Sequence, residues 1–158
     1  MRLTQWTDYS LRVLMYCAAH QGREQPVTIT EIADSHVISR SHLTKIVMAL
    51  SANGMLETTR GRGGGLRLRK RADEINLGAV LRLTETDFNL VECFDNGQNT
   101  CRLNGACALK SILRKALDSY FEVLDQTSLA DLIRPTLTSD GQKVSPVIHL
   151  QSIQMVES

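Results

Sequence analysis

Three of the four cysteines in this chain, Cys93, Cys101 and Cys107, lie close together in the sequence. Thiolate sulfur is a soft ligand that binds zinc and iron-sulfur clusters. The C-x7-C-x5-C spacing matches neither the paired C-x2-C units of a zinc ribbon nor the tight run of a ferredoxin, so it does not name the metal. Three thiolates also leave such a site one ligand short. The missing ligand would be weaker than a thiolate, and a weak ligand is a point where a small molecule can react.

The position of the fourth cysteine and the character of the N-terminus both support metal binding by the other three cysteines. Cys17 follows Val13 and Tyr16 in an apolar segment, which favours a small buried hydrophobic residue over a metal ligand. The N-terminus lacks a charged region followed by an apolar one, and the longest apolar stretch, Val13 to Ala19, is too short to cross a bilayer. We therefore expect a cytoplasmic protein without membrane association. In that reducing compartment, closely spaced cysteines are more often metal ligands or redox centres than disulfides.

The charges are unevenly distributed along the chain. Residues 1–71 hold 11 Lys and Arg against 5 Asp and Glu, whereas residues 72–158 hold 7 against 12. The first half is therefore basic and the second acidic, although the whole chain carries a formal net charge of only +1. A basic half suits a polyanionic partner, and nucleic acid is the polyanion that this pattern favours.

Two helices separated by a tight turn are predicted after a first helix over about 7–20. Thr28 and Glu31 have the spacing of a capping box, which starts the second helix. Ser39 is the expected N-cap of the third helix, and Gly54 is free to take the left-handed conformation that ends it. Apolar residues recur at helical spacing along the third helix, which predicts one buried face. These residues are Leu43, Ile46, Val47 and Leu50.

The third predicted helix presents polar and basic side chains at its N-terminal end, as the recognition helix of a helix-turn-helix does. We expect five residues there to reach base edges in the major groove: Ser39, Arg40, Ser41, His42 and Lys45. The alternative is an ordinary helical hairpin with a solvated polar face, because amphipathic helix pairs are common.

A hairpin rich in glycine and arginine follows the third helix. Residues 55–59 are predicted to form one strand, and residues 66–69, which alternate apolar with basic side chains, form its partner. The turn lets backbone and guanidinium groups approach a phosphate or a narrow minor groove, and its candidate DNA contacts are Arg60, Arg62, Gly63 and Gly64. A nucleotide-binding loop is disfavoured because no Gly-Lys-Ser/Thr follows. A flexible, solvated hairpin is the other alternative.

A helix-turn-helix followed by a basic hairpin is the winged-helix plan. The predicted fold is mainly α with a small β-hairpin: a winged helix-turn-helix domain over 1–84, a cysteine-containing loop over 85–107, and a long dimerisation helix with a short terminal helix over 108–134. Residues 135–158 show no interpretable pattern and are predicted to be disordered. No set of nucleophile, base and oxyanion donors emerges, so an enzyme is not expected.

The long helix after the cysteine loop is predicted to be amphipathic. Its apolar stripe consists of Leu109, Ile112, Leu113, Ala116, Leu117, Tyr120 and Leu124. A stripe of this length on a small domain needs a partner, and a palindromic duplex calls for two-fold symmetry, so we expect a homodimer. The alternative is that the stripe packs on its own domain.

Several features together resemble a bacterial family of winged-helix iron-sulfur regulators. They are Leu3-Thr4, Thr7-Asp8-Tyr9-Ser10-Leu11-Arg12, the Arg60-Gly61-Arg62-Gly63-Gly64-Gly65 wing and the three-cysteine loop before a long helix. The likeness covers about residues 1–134. It implies a dimer whose long helices cross, so that each cluster lies near the DNA-binding domain of the other subunit. It also implies an iron-sulfur cluster, [4Fe-4S] with [2Fe-2S] as the alternative.

Subgroups of that family differ in the fourth cluster ligand. Members that regulate cluster biogenesis carry a histidine three residues after the last cysteine, where this chain has Lys110. Nitric-oxide-sensing members can recruit an aspartate from the first helix of the other subunit, and Asp8 occupies the matching place. The resemblance therefore implies that Asp8 of the partner subunit completes the site. The alternative role for Asp8 is a first-turn carboxylate that stabilises its own helix.

The residue patterns predict a dimeric protein that binds double-stranded DNA with a palindromic operator, and the resemblance implies a repressor whose affinity is controlled by an iron-sulfur cluster that reacts with nitric oxide. Three alternatives stay open. They are a regulator of iron-sulfur biogenesis or redox state, a thiol- or zinc-dependent regulator without iron, and a small redox protein whose basic wing is incidental.

Overall fold

A computed structural model describes residues 2–95, 97, 99–103 and 107–134, together with the backbone at 136–137 and 143–144. The elements in chain order are α1 (Gln5–Ala19), α2 (Ile29–His36), α3 (Arg40–Ala52), β1 (Leu56–Thr59), β2 (Gly65–Leu68), α4 (Leu77–Thr84), α5 (Ala108–Asp125), α6 (Leu129–Ile133), β3 (Thr136–Leu137) and β4 (Lys143–Val144). The predicted fold class, mainly α with a small β-hairpin, is confirmed. In the part of the chain that the structure describes, no helix has the length and apolar character needed to cross a membrane.

Helix α1 runs through the middle of the domain. Thr4 caps its N-terminus by accepting a hydrogen bond from the Thr7 N–H at 3.3 Å. Val13 and Leu14 are fully buried, and the helix contacts α3, α4, α6 and β2. Burying an aliphatic side chain of this size stabilises the folded state by about 1.5–3 kcal/mol. The positions of the surrounding elements therefore depend on α1.

Helices α2 and α3 form the predicted helix-turn-helix. Both hydrogen bonds of the capping box are present: the Thr28 N–H donates to Glu31 Oε2 at 2.6 Å, and the Glu31 N–H donates to Thr28 Oγ1 at 3.2 Å. Ser39 caps α3 as predicted. Between the helices, Val37 has a left-handed φ of 54°, which a β-branched residue seldom adopts. This strained turn leaves Val37 exposed and buries the next residue, Ile38.

The hairpin of β1 and β2 forms the wing. The strands are antiparallel, with Leu56 opposite Leu68 and Thr59 opposite Gly65. Leu56 and Leu68 are buried, so one face of the hairpin packs on the core. The turn between the strands includes Gly63 at a φ of 79°, a conformation that glycine adopts without steric cost.

The other edge of β2 pairs with the loop that precedes α2. The Val27 N–H donates to the Leu66 carbonyl at 3.1 Å, and the Leu66 N–H donates to the Val27 carbonyl at 2.7 Å. A Cβ atom at Gly65 would lie 2.5 Å from the Val27 carbonyl oxygen, so this close approach requires glycine. The wing is thereby attached to the start of the helix-turn-helix.

Helix α5 is joined to the first domain near its C-terminal end. Arg82 of α4 donates two hydrogen bonds to the Asp125 carboxylate, at 2.5 and 2.8 Å, and its guanidinium lies 4.2 Å from the centroid of the Phe121 ring. Leu117 of α5 is buried. Beyond α5, Leu129 of α6 is buried in the core, where α6 contacts α1. The C-terminal helices are therefore part of the same folded unit as the winged helix.

The apolar stripe predicted for α5 is divided between two sides of the helix. Leu117 is buried within the chain, and three other members of the stripe are partly buried. By contrast, Leu109 and Ile112 are 59% and 60% exposed, and Val123, which the sequence pattern does not single out, is 65% exposed. The alternative, in which the stripe packs on its own domain, therefore holds for one side of the helix, and the homodimer stays a prediction. One side packs on its own domain, and the other is uncovered in the single chain.

Strands β3 and β4 pair antiparallel, with Thr136 opposite Val144 and Leu137 opposite Lys143. Both strands lie in the 135–158 segment that the sequence predicts to be disordered. The prediction is wrong for these four residues, whose backbones are paired. The rest of that segment lies outside the described residues.

Candidate DNA-binding surface and cysteine loop

The N-terminal end of α3 is an exposed polar surface. All five residues predicted to reach base edges are exposed: Ser39, Arg40, Ser41, His42 and Lys45. The opposite face of α3 is buried through Leu43, Ile46, Val47 and Leu50. The positive end of the α3 dipole coincides with the exposed polar end, which suits an approaching phosphate.

Ser39 has a structural role in addition to its predicted contact with DNA. Its hydroxyl accepts a hydrogen bond from the His42 N–H at 3.4 Å and lies 3.3 Å from the Ser41 hydroxyl. Loss of an N-cap serine typically costs about 0.5–2 kcal/mol. A substitution at Ser39 would therefore weaken the start of α3 as well as any contact with a base.

Two further residues of α3 share this exposed face and are missing from the sequence-based prediction. Thr44 is exposed, and the side chain of Met48 is 68% exposed. They follow Ser41 by three and seven residues, which places them on the same face. The Thr44 hydroxyl donates to the Arg40 carbonyl at 2.8 Å, which leaves its methyl group for an apolar contact with a base. Helical periodicity counted from Ser41 would identify both residues.

The tip of the wing carries two guanidinium groups. Arg60 and Arg62 are exposed, and neither has a hydrogen-bond or ion-pair partner among the described residues. A Cβ atom at Gly64 would overlap the carbonyl group of Thr59, so the turn itself requires glycine at this position. The predicted role of Gly64 in DNA contact therefore coincides with a packing requirement of the hairpin.

Two of the six basic residues between positions 60 and 71 are engaged within the chain. Arg71 donates to both carboxylate oxygens of Asp73, at 3.0 and 2.7 Å. These hydrogen bonds are the main reason why the pKa of Asp73 is lowered. Arg67 donates to two main-chain carbonyls, those of Arg23 and Glu24. The positive charge of the wing is therefore not all available to a phosphate backbone.

The four cysteines are free thiols. Cys17 is 2% exposed, and burial raises the pKa of its thiol to about 12, so it stays protonated at neutral pH. This agrees with its interpretation as a small buried hydrophobic residue. Cys93, Cys101 and Cys107 are only partly buried and can be reached from solvent.

Two of the three loop cysteines are attached to the N-terminal half of α5. Cys93 lies in a short 3-10 turn, Glu92–Phe94, and the Phe94 ring is buried with the Arg114 guanidinium 4.2 Å from its centroid. Cys107 is the N-cap residue of α5, and its side chain makes no capping hydrogen bond. Cys93 and Cys107 are therefore both held next to the same helix.

A carboxylate connects the residues that precede Cys93 and Cys101. One oxygen of Glu92 accepts hydrogen bonds from the Thr100 N–H at 2.6 Å and from the Thr100 hydroxyl at 2.7 Å. The hydrogen bond from the Thr100 hydroxyl, and after it the one from the Thr100 N–H, lower the pKa of Glu92. We call this contact the Glu92–Thr100 clamp. It holds the residues that precede the two cysteines next to each other.

The donor chemistry of the loop suits a soft metal, because it offers three free and partly exposed thiols. Among residues 2–95, 97, 99–103 and 107–134, however, no three Cys, His, Asp or Glu side chains lie close enough together to hold a metal ion. Binding would require the loop to close further. Part of the binding free energy would then be spent on ordering the loop.

Asp8 lies in the first turn of α1 and is held by Arg12. Nε of Arg12 donates to Oδ1 at 3.1 Å, and Nη2 lies 3.0 Å from Oδ2. Both side chains are nearly half exposed, so the pair contributes little to stability. Within one chain Asp8 is thus a first-turn carboxylate paired on its own helix. To bind a metal it would have to leave Arg12.

A partly buried histidine of the helix-turn-helix lies within electrostatic reach of this ion pair. His36, the last residue of α2, has a buried Nε2 atom without a hydrogen-bond partner in the described part of the chain. Burial, followed by the charge of Arg12, lowers its pKa, so the imidazole is neutral at pH 7. The ring meets the edge of Tyr16 at a centroid distance of 5.8 Å. The charges of Asp8 and Arg12 therefore act on the residue next to the strained turn.

The order of these elements matches a known family. The pattern of the Rrf2 family, described as iron-dependent transcriptional regulators, matches residues 3–135. The chain belongs to the Rrf2 family. It is therefore a transcriptional regulator with a DNA-binding winged helix and not an enzyme, as the sequence predicts.

Individual relatives of this Rrf2 chain agree with that assignment. It is 52% identical to the HTH-type transcriptional regulator NsrR of Bacillus licheniformis over 133 residues, which cover 84% of this chain and 92% of the relative. It is 48% identical to NsrR of Bacillus subtilis over 134 residues, 85% and 91% of the two chains. The solved structure of CymR (YrzC), the global cysteine regulator of B. subtilis, matches with a TM-score of 0.71 at 26% identity, covering 84% of this chain and 95% of that chain.

The Glu92–Thr100 clamp predicts order in the loop of this Rrf2 protein before any metal binds. Glu92→Ala removes both hydrogen bonds and should speed hydrogen–deuterium exchange of the Thr100 amide in metal-free protein by about tenfold, since each bond is worth about 1 kcal/mol or less. Glu92→Gln is the matched control, because its amide oxygen can still accept both bonds. Equal exchange in the wild type and Glu92→Ala would show that the clamp is not formed in solution.

Proposed function

We propose that this Rrf2 protein is a dimeric, cytoplasmic repressor whose affinity for a palindromic operator is set by an iron-sulfur cluster that responds to nitric oxide. The cluster would be [4Fe-4S], with [2Fe-2S] as the alternative. The observation that carries the proposal is a set of three free, partly buried thiols on a loop fixed to α5, the helix that follows the DNA-binding domain. Resemblance to nitric-oxide-sensing members of the family and relatives named NsrR support it.

The exposed end of α3 would enter the major groove while the wing follows the phosphate backbone. Arg40 and Lys45 would reach base edges together with their exposed polar neighbours. The methyl group of Thr44 suits apolar contact with thymine. Arg60 and Arg62 would supply affinity through phosphates or a narrow minor groove, with little direct reading of sequence.

The uncovered side of α5 would be covered by a second subunit. The residues on this side are spaced alternately three and four positions apart, which is the spacing of a coiled-coil seam. They are Leu109, Ile112, Ala116, Ser119 and Val123. A two-fold interface on this side would bury the exposed apolar members of the series. It would also present two α3 helices to half-sites about 34–36 Å apart, as a palindrome requires.

Cys93, Cys101 and Cys107 would hold the cluster, with Asp8 of the partner subunit as the fourth ligand. When bound, the cluster supplies iron that can react with nitric oxide. A carboxylate oxygen is a harder donor than a thiolate, so Asp8 would be the most easily lost ligand. The presence of Lys110 where cluster-biogenesis members carry histidine supports this assignment over a ligand from the same helix.

Asp8 would connect the loop of one subunit to the recognition helix of the other through α1. To bind, the carboxylate must leave Arg12; on release it can pair with Arg12 again, as it does in the single chain. Because α1 packs directly on α3, a shift of α1 changes the position of the recognition helix. A tenfold change in operator affinity requires about 1.4 kcal/mol of coupling between the two sites.

A thiol- or zinc-dependent regulator without iron is the second candidate. The observation that favours it is the same set of three free, partly exposed thiols, because thiolates also bind zinc. Metal analysis of the protein separates the two candidates.

Arg60→Ala tests the contact between wing and DNA. Loss of one phosphate contact should weaken binding to any duplex and reduce the slope of log K against log salt concentration by about 0.9. The measurement is a fluorescence anisotropy titration at several salt concentrations. Arg71→Ala is the matched control, because Arg71 is paired with Asp73 and should leave the slope unchanged. A wild-type slope in Arg60→Ala would contradict the wing contact.

Anaerobic purification tests the proposed function as a whole. The protein should contain iron and acid-labile sulfide, bind a palindromic operator, and release it when nitric oxide is added. Cys101→Ala should lose the iron, the visible absorption and the response while remaining a folded dimer. Cys17→Ala, which alters the buried thiol, should keep all three. Colourless, metal-free wild type that still binds the operator and responds to nitric oxide would overturn the proposal, and zinc in place of iron would favour the second candidate.

Trp6 gives a test of the link between subunits. It is the single tryptophan of the chain, lies two residues before Asp8, and is 37% exposed. In the iron-loaded dimer, energy transfer to the cluster of the other subunit should quench its emission. Asp8→Asn keeps the shape of the side chain but is a poor ligand, so emission should recover while iron stays on the thiols. Asp34→Asn, an exposed aspartate of α2, is the control. Undiminished quenching in Asp8→Asn would count against Asp8 as the link.

A further inference from the structure

We infer that Arg67 is a positioning residue that fixes the wing to the helix-turn-helix instead of contacting DNA, an inference that rests on the proposed DNA-binding function. The alternation along β2 puts Arg67 on the face opposite the buried Leu66 and Leu68. Sequence pattern alone would therefore count it among the basic residues available to phosphates. The contacts of its side chain give it a different role.

The Arg67 guanidinium is engaged by main-chain carbonyls. Nη1 donates to the carbonyl oxygen of Arg23 at 3.0 Å, and Nη2 donates to the carbonyl oxygen of Glu24. Glu57 stands directly opposite Arg67 in the register of β1 and β2. Even so, the ion pairs of the described residues do not include one between Glu57 and Arg67. The partly buried Arg67 side chain thus binds the loop before α2 in preference to the carboxylate across the hairpin.

The loop that receives Arg67 is itself tied to the start of α2. Nε of Arg23 donates to the Gln25 carbonyl at 2.9 Å, and Nη2 donates to the Pro26 carbonyl at 3.1 Å. The same Nη2 lies 2.8 Å from the carboxylate of Glu31, the residue that completes the capping box of α2. A displacement of the loop would therefore disturb the first turn of α2.

We call the Arg67 side chain and the two carbonyls that it binds the wing latch. The latch joins β2 to the loop by a side chain, next to the point where Val27 and Leu66 join them by backbone hydrogen bonds. Two adjacent attachments resist rotation of the hairpin better than one. The wing latch thus holds the wing and the helix-turn-helix as one rigid unit.

A rigid unit matters because α3 and the wing must touch the same duplex at the same time. A wing that could move in the free protein would lose that freedom on binding, and the lost entropy would weaken the complex. The structure has space for such movement: a cavity of about 210 Å³ lies between α1, the loop and β2, lined in part by Cys17, Pro26 and Arg67. Without the latch, β2 could shift toward this cavity.

Arg67→Met and Arg67→Lys separate positioning from phosphate contact. Methionine keeps much of the apolar stem but removes the donors and the charge, whereas lysine keeps the charge but cannot bridge two carbonyls as the guanidinium does. Both variants of the full-length, anaerobically purified protein should bind a palindromic operator about tenfold more weakly at every salt concentration, with the wild-type salt slope. Arg60→Met, at the exposed tip, is the comparison and should reduce the slope by about 0.9.

The opposite pattern would overturn the inference. Wild-type affinity in Arg67→Lys, with a reduced slope in Arg67→Met, would make Arg67 a phosphate contact. Unchanged affinity in both variants would contradict a positioning role, and Arg67→Lys alone decides the matter if the methionine variant fails to fold.

Hydrogen–deuterium exchange of the free protein tests the wing latch without DNA. Exchange of the Val27 and Leu66 amides should be faster in both variants than in the wild type, and unchanged exchange would count against the latch. A wild-type protein that bound no palindromic duplex would instead contradict the proposed function.

Discussion

The burial of α1 is the constraint on which the rest of this structure depends. Its central residues are inaccessible to solvent, and α3, α4, α6 and the wing strand β2 all pack against it. A close-packed interior transmits a displacement to its neighbours because it has little empty volume to absorb it. Asp8 lies at the exposed end of this helix. The core therefore provides a mechanical path between an accessible carboxylate and the surface that we propose faces DNA.

Local chemistry explains why much of the fold could be predicted from the sequence. The hydrogen bonds of the Thr28 and Glu31 capping box and of the Ser39 N-cap join residues three positions apart, so their spacing is visible in the sequence. The glycine-rich turn of the wing has a similar local cause. The exposed end of α3 followed from amphipathic periodicity, and only the extension of that face to Thr44 and Met48 was missed. The metal-ligating role of the three loop cysteines and the DNA-contacting role of the α3 end and the wing stay predictions.

Features that depend on distant parts of the chain could not be predicted in the same way. The two sides of α5 differ because Leu117 meets its own domain while Leu109 does not, and a helical stripe carries no information about which neighbour covers it. Arg67 binds carbonyls more than 40 residues earlier in the chain, although its alternating pattern indicates only an outward-facing charge. The Glu92–Thr100 clamp lies in a segment without periodicity, so no sequence signal marks it.

On the proposed function, Cys107 would take part in both cluster binding and dimer formation. It begins α5 without supplying a side-chain acceptor to the first turn, and Leu109, at the start of the exposed seam, follows two residues later. A cluster that orders Cys107 would also order the beginning of the surface on which two subunits meet. Iron supply and protein abundance would then act on one equilibrium by mass action. At a constant concentration of free clusters, a cell that made more of this regulator would hold more of it as the dimer and therefore a larger share of it loaded.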